Sequence, residues 1–125
     1  VKEIEDTLST FSSVFTLVVA PSCIQNYIEW SDIVIATSGL TKYEILKSGV
    51  PSIIIPFDES QFKTNKASAK KNAFLTISAE KIKYDLGPML KTLISDNLRR
   101  KDLSDRAFSL LDDRGVSRII SRIKK

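Results

Sequence analysis

Thr37-Ser38-Gly39-Leu40-Thr41, with Glu44 three residues further on, is the stretch of this chain where chemistry is easiest to place. Ser38 and Gly39 are small, and Gly39 lets a ligand approach the backbone closely. The residues after them have a helical pattern, so the turn brings bare backbone amides to a helix N-terminus, where the dipole favours an anion. A purely structural reading stands beside this one. Thr41 and Glu44 fit the T-x-x-E capping box, in which side chains satisfy the first amides of a helix. The turn is not a Walker loop, because G-x-x-x-x-G-K-[ST] occurs nowhere in the chain.

A second polar cluster is "DESQFKTNKA", residues 58 to 67. Gln61 and Asn65 are four apart, so on a helix they share a face and can present amides to sugar hydroxyls. The alternative is a polar helix start capped by Asp58 or Ser60. Asp58 and Glu59 are adjacent and do not face each other on a helix, and no second acidic pair suggests glycosidase geometry. The chain has no histidine. That removes the commonest general base and the His-containing zinc sites, so catalysis would need Asp, Glu, Lys or a partner domain. No catalytic residue, metal ligand or cofactor is assigned within the chain.

The elements that must position these residues alternate. Residues 2–12 read as a helix with Ile4 and Leu8 on one face, and "FTLVVA" (15–20) as a buried strand ended by Pro21. Residues 24–30 form a short helix or turn, and 32–36 a second strand. A helix over 41–48 stops at Gly49, with Pro51 behind it. A third strand covers 52–57, a helix 61–71 and a fourth strand 73–77. Gly87-Pro88 opens the helix "PMLKTLIS", and two amphipathic helices, 98–111 and 116–124, are split at "DDRG". Continuous apolar runs imply strands covered on both faces, as in a parallel sheet. The expected fold is therefore α/β: a Rossmann-like three-layer sandwich with a mainly parallel sheet, forming one domain over 1–125. In such sheets ligands bind outside the carboxyl ends of the strands. Both polar clusters follow directly on strands and fall at that edge.

Composition narrows the partners. At 125 residues and 42% hydrophobic, the chain can bury one core. Much of the net charge of +4 lies in the C-terminal third, where only Phe108 is aromatic, so solvated helix faces are expected there and nucleic acid is not. No apolar run approaches a membrane span and no secretory leader is visible. The chain opens with Val1, which suggests a piece of a longer protein. Cys23 has no internal partner and reads as a small buried hydrophobe, suited to a reducing, cytoplasmic compartment.

"SDIVIATSGLTKYEILKSGVPSIIIPFDESQFKTNKA" (31–67) resembles the nucleotide-sugar-binding half of GT-B-fold enzymes, the glycosyltransferase family 28 C-terminal type. The shared pattern is an aspartate-led strand, an S-G turn, T-x-x-E opening a helix, a G-[LV]-P-[SA] step into an apolar strand, and a polar loop with Q-x-x-x-N. The lipid-linked N-acetylglucosaminyltransferase of peptidoglycan synthesis carries a similar series. The UDP-sugar hydrolases of pseudaminic acid synthesis and their spore-coat polysaccharide relatives are closer, and "LLDDRGVSRIISRI" (110–123) is similar to their D-G-x-G-[AV]-x-R-[IV] ending.

The resemblance implies that Ser38 and Gly39, with the amides of Leu40 and Thr41, cradle the diphosphate of a UDP-sugar. It implies that Glu44 binds the ribose and that Gln61 and Asn65 touch the sugar or the distal phosphate. An N-terminal domain of the same protein would supply the catalytic base, in the hydrolases a histidine. "DESQ" departs from the asparagine-glutamine pair more usual in the hydrolases. Two rivals stand: a non-catalytic interaction module without a nucleotide site, and a receiver or flavodoxin-like domain. A receiver wants a phosphoacceptor Asp at a strand end, whereas the strands here end in Ala20, Ala36 and Phe57. A flavin site wants aromatic walls, and Tyr43 and Trp30 read as packing residues.

Overall fold

The computed structural model describes residues 2–10, 15–69, 71, 73–112 and 114–124. Among these, β1 (Val34–Thr37), β2 (Ser52–Ile55) and β3 (Leu75–Thr76) form a parallel sheet in the order β1-β2-β3. Val34 lies opposite Ser52, and Ile53 opposite Leu75. The α-helices among the described residues are α1 (Lys2–Leu8), α2 (Ile24–Trp30), α3 (Thr41–Ser48), α4 (Glu59–Ala69), α5 (Ile82–Ser95), α6 (Asn97–Leu110) and α7 (Gly115–Ile123). The connections through α3 and α4 make two successive β-α-β units, as a parallel sheet requires.

The central strand explains its own composition. Ile53 and Ile54 are both 0% exposed, and consecutive side chains on a strand point to opposite faces. Ile54 joins a cluster with Ile28, Ile45, Leu46 and Phe74, whereas Ile53 joins Ile77, Leu93 and Leu103. A strand buried on both faces has no solvent-facing positions to alternate with, so Ile53–Ile55 read as an unbroken apolar run, and even Ser52 at the head of the strand is buried. Each such isoleucine contributes roughly 1.5–3 kcal/mol by leaving water. At the end of α3, Gly49 takes a φ of 67° and ends the helix, as the sequence predicts.

Five expectations are corrected. Residues 15–19 belong to no strand of the sheet, and Phe15 and Val19 are more than half exposed. Apolar composition makes a strand only when a ladder and a covering layer are supplied. Here Ala20 also turns the chain, with a left-handed φ of 48° just before Pro21. Helix α1 ends at Leu8 and buries nothing; Ile4 is 54% exposed, and residues 11–12 of the expected helix lie outside the described residues. Helix α5 does not begin at Gly87-Pro88 but at Ile82, and Pro88 lies inside it. A proline costs an interior hydrogen bond, but Ile82, Leu86, Met89 and Leu90 pack on the second cluster and Leu93 lies in it. That burial outweighs the break. Cys23 is exposed rather than buried. Trp30 and Tyr43 are exposed as well, so neither is a core packing residue.

Candidate functional site

The turn between β1 and α3 is held by the backbone. Ser38 N donates to Ile55 O at 2.8 Å, extending the β1–β2 ladder by one residue. The Ser38 amide is therefore spent, which corrects the expectation of a bare amide at that position. The expected T-x-x-E capping box does not form either. Leu40 occupies the N-cap with φ −64° and ψ −35°, already helical, and no side chain caps the helix. Lys42 N instead donates to Gly39 O (3.3 Å) and Tyr43 N to Leu40 O (2.9 Å), a tight first turn. The amides of Gly39, Leu40 and Thr41 have no hydrogen-bond partner among the described residues. These belong to the orphan donors that every helix start leaves. A Cβ built on Gly39 would meet nothing within 4 Å, so the missing side chain leaves open space beside those amides.

Helix α4 supplies the facing wall. Asp58 Oδ1 accepts from Gln61 N (2.7 Å) and Gln61 Oε1 accepts from Phe57 N (3.2 Å), a reciprocal cap that fixes where α4 begins. One turn later Asn65 is fully buried. Its Oδ1 accepts from Ser38 Oγ at 3.2 Å and from Lys42 Nζ at 3.0 Å, while its Nδ2 is buried without a partner.

These residues line a cavity of about 350 Å³ at the carboxyl ends of β1 and β2. It brings together Ser38, Gly39, Leu40, Gln61 and Asn65, all singled out from the sequence. It also adds Lys42, Tyr43, Ser60 and Thr64. Thr41 and Glu44 are not in its lining, and the Glu44 side chain is exposed.

Lys42 is the residue that sequence reasoning missed. Only 7% of it is exposed. It is three and four residues before Ile45 and Leu46, which are buried in the core, so its place on the inward face of α3 was legible from the helical period. A larger hollow of about 590 Å³ lies along the same edge between Pro56 and Glu80. It carries Asp58, Glu59 and Glu80, whose charges would repel a phosphate.

No helix among the described residues is long and apolar enough to cross a membrane. No curated protein and no solved structure matches the chain. A family model, the Glycosyltransferase family 28 C-terminal domain, matches residues 15–121.

Proposed function

We propose, because this chain belongs to the glycosyltransferase family 28 C-terminal domain family, that it binds the UDP part of a nucleotide-sugar donor. The enzyme it serves is a glycosyltransferase or sugar-nucleotide hydrolase of surface polysaccharide or glycan synthesis. The observation that carries the reading is the cavity at the carboxyl edge of the sheet with the unpaired Gly39, Leu40 and Thr41 amides beside it. Amides at a helix start suit a diphosphate, and the carboxyl edge of a parallel sheet is where such ligands sit. Gln61 then faces the sugar or distal phosphate through its amide nitrogen, because its oxygen caps α4. Glu44 takes the ribose from the rim. Asn65, buried behind the turn, orders the site through Ser38 and Lys42.

As the sugar leaves, negative charge grows on the diphosphate, and preformed donors stabilise it without reorganising. A partner N-terminal domain brings the base or the acceptor, and closure over the donor excludes water. The lone, unpaired Cys23 suits a cytoplasmic setting.

Thermal melting with UDP, UMP, ADP and inorganic phosphate tests the reading. UDP at a hundred times its dissociation constant adds about 2.7 kcal/mol and raises the midpoint, and Glu44→Ala removes most of that gain in a folded protein. A midpoint indifferent to all four ligands would overturn it.

A further inference from the structure

We infer that Lys42 is the charge partner of the ligand's phosphates, a role that rests on the donor-binding reading above and assigns its electrostatics to one side chain. Lys42 is more than nine-tenths buried, yet its ammonium has no carboxylate within ion-pair distance among the described residues. Its partners are neutral: Asn65 Oδ1 at 3.0 Å and the face of the Tyr43 ring, 5.0 Å from Nζ to the centroid.

Removing a charge from water without an opposite charge is among the costliest things a fold does. Folds that do it to a lysine usually supply an acid. Here the same cavity wall adds two donors without an acceptor among the described residues, the amides of Gly39 and Leu40, and no carboxylate; the Ser38 O–H is already given to Asn65 Oδ1. An ammonium beside unspent amides at a helix start, with no carboxylate in the lining, leaves a region of positive potential that an anion completes. An ammonium has three N–H donors, and Asn65 takes one. A compact ammonium suits a phosphate as a point charge rather than as a planar fork. The chemistry is that of a nucleoside diphosphate or of a free phosphate, and the choice between them lies in the nucleoside.

Calorimetric titration of the purified protein with UDP, uridine and pyrophosphate, at two salt concentrations, tests this. Lys42→Met is expected to weaken UDP and pyrophosphate by at least about thirtyfold, to leave uridine unchanged and to flatten the salt dependence. Asn65→Asp is the second variant and guards against misfolding. It places a carboxylate beside the ammonium, so it is expected to raise the melting temperature while weakening UDP. Because the new carboxylate also repels a phosphate directly, the deciding comparison is Asn65→Asp with and without Lys42→Met: a purely structural lysine would leave UDP affinity the same in both. Wild type that binds UDP while Lys42→Met binds it equally, with the same salt slope, overturns the role of Lys42 and leaves donor binding standing. Wild type that binds neither UDP nor pyrophosphate overturns both. Pyrophosphate binding as tight as UDP binding assigns the site to free phosphates and overturns the nucleotide.

Discussion

Lys42 Nζ lies 3.0 Å from Asn65 Oδ1, and this one hydrogen bond ties the first turn of α3 to the middle of α4 behind the β1 turn. Ser38 Oγ reaches the same oxygen at 3.2 Å, so three residues from three segments meet on one buried atom. The cavity keeps its shape only while that junction holds.

Asn65→Leu removes the shared acceptor and leaves a buried ammonium unsatisfied. The expected loss is about 2–4 kcal/mol in urea unfolding. Pairing it with Lys42→Met removes the orphaned charge as well. The double variant should be more stable than the two single losses added together, by about 1 kcal/mol or more. Strict additivity would mean that the two side chains do not depend on each other.

Leu40 has the φ of a proline, −64°, and its amide has no partner among the described residues. Leu40→Pro therefore deletes one donor at the helix start, where proline is tolerated. Stability should change by less than about 1 kcal/mol, while UDP affinity falls roughly tenfold for one charge-assisted hydrogen bond. Unchanged affinity in calorimetry would show that this amide does not face the ligand.

Gly49 combines a φ of 67° with close packing of α3 on α6, since a Cβ there would run into the ring of Phe108. Gly49→Ala should cost about 1–3 kcal/mol in chemical denaturation. Phe108 is 59% exposed and can swing aside. Adding Phe108→Ala should therefore recover only the steric part and leave the backbone cost of about 1 kcal/mol.

Asp112 receives Arg118 Nη1 at 2.7 and 2.9 Å and the Arg114 amide at 3.1 Å, just ahead of α7. The Arg118 guanidinium first, and then that amide, hold the carboxyl below its ordinary 3.8, and the guanidinium is raised in turn. A carboxylate with a lowered folded value stabilises fully above the unfolded value, and the gain is lost as pH falls through the folded one. Order in α7, followed by amide NMR, should therefore weaken as acid is added below pH 3.8. Asp112→Asn should show the weakened state already at neutral pH, with no further acid step from this residue. Asp113, its neighbour in the "DDRG" segment, lies outside the described residues.

Where local rules were sufficient, the sequence reading and the structure coincide. Helix α3 spans 41–48 and stops at Gly49 because a left-handed glycine followed by Pro51 is a stop signal in any context. Strand β2 falls within the expected run 52–57, shortened at its end, and β1 starts two residues into the expected 32–36 and runs one residue past it to Thr37. Asp58 caps α4 because a short acceptor three residues before an amide needs no tertiary help. The run 15–20 has the same apolar character as β2, but a strand exists only where a neighbour completes its ladder, and composition cannot report a neighbour.

The site divides in the same way. The chain alone determined that small residues and a helix start would follow an apolar strand, which placed Ser38, Gly39, Leu40, Gln61 and Asn65 at one edge of a parallel sheet. Only the tertiary structure decided which of their polar atoms remain available. The Ser38 amide is taken by Ile55 O, the Gln61 oxygen by Phe57 N, and the Asn65 oxygen by Ser38 and Lys42. The capping box at Thr41 and Glu44 fits every residue preference, yet Leu40 begins the helix one residue earlier and leaves it unmade. Hydrogen bonds between segments distant in sequence depend on how the segments pack. Lys42 meets Asn65, 23 residues further along the chain, only because the fold brings the first turn of α3 beside α4.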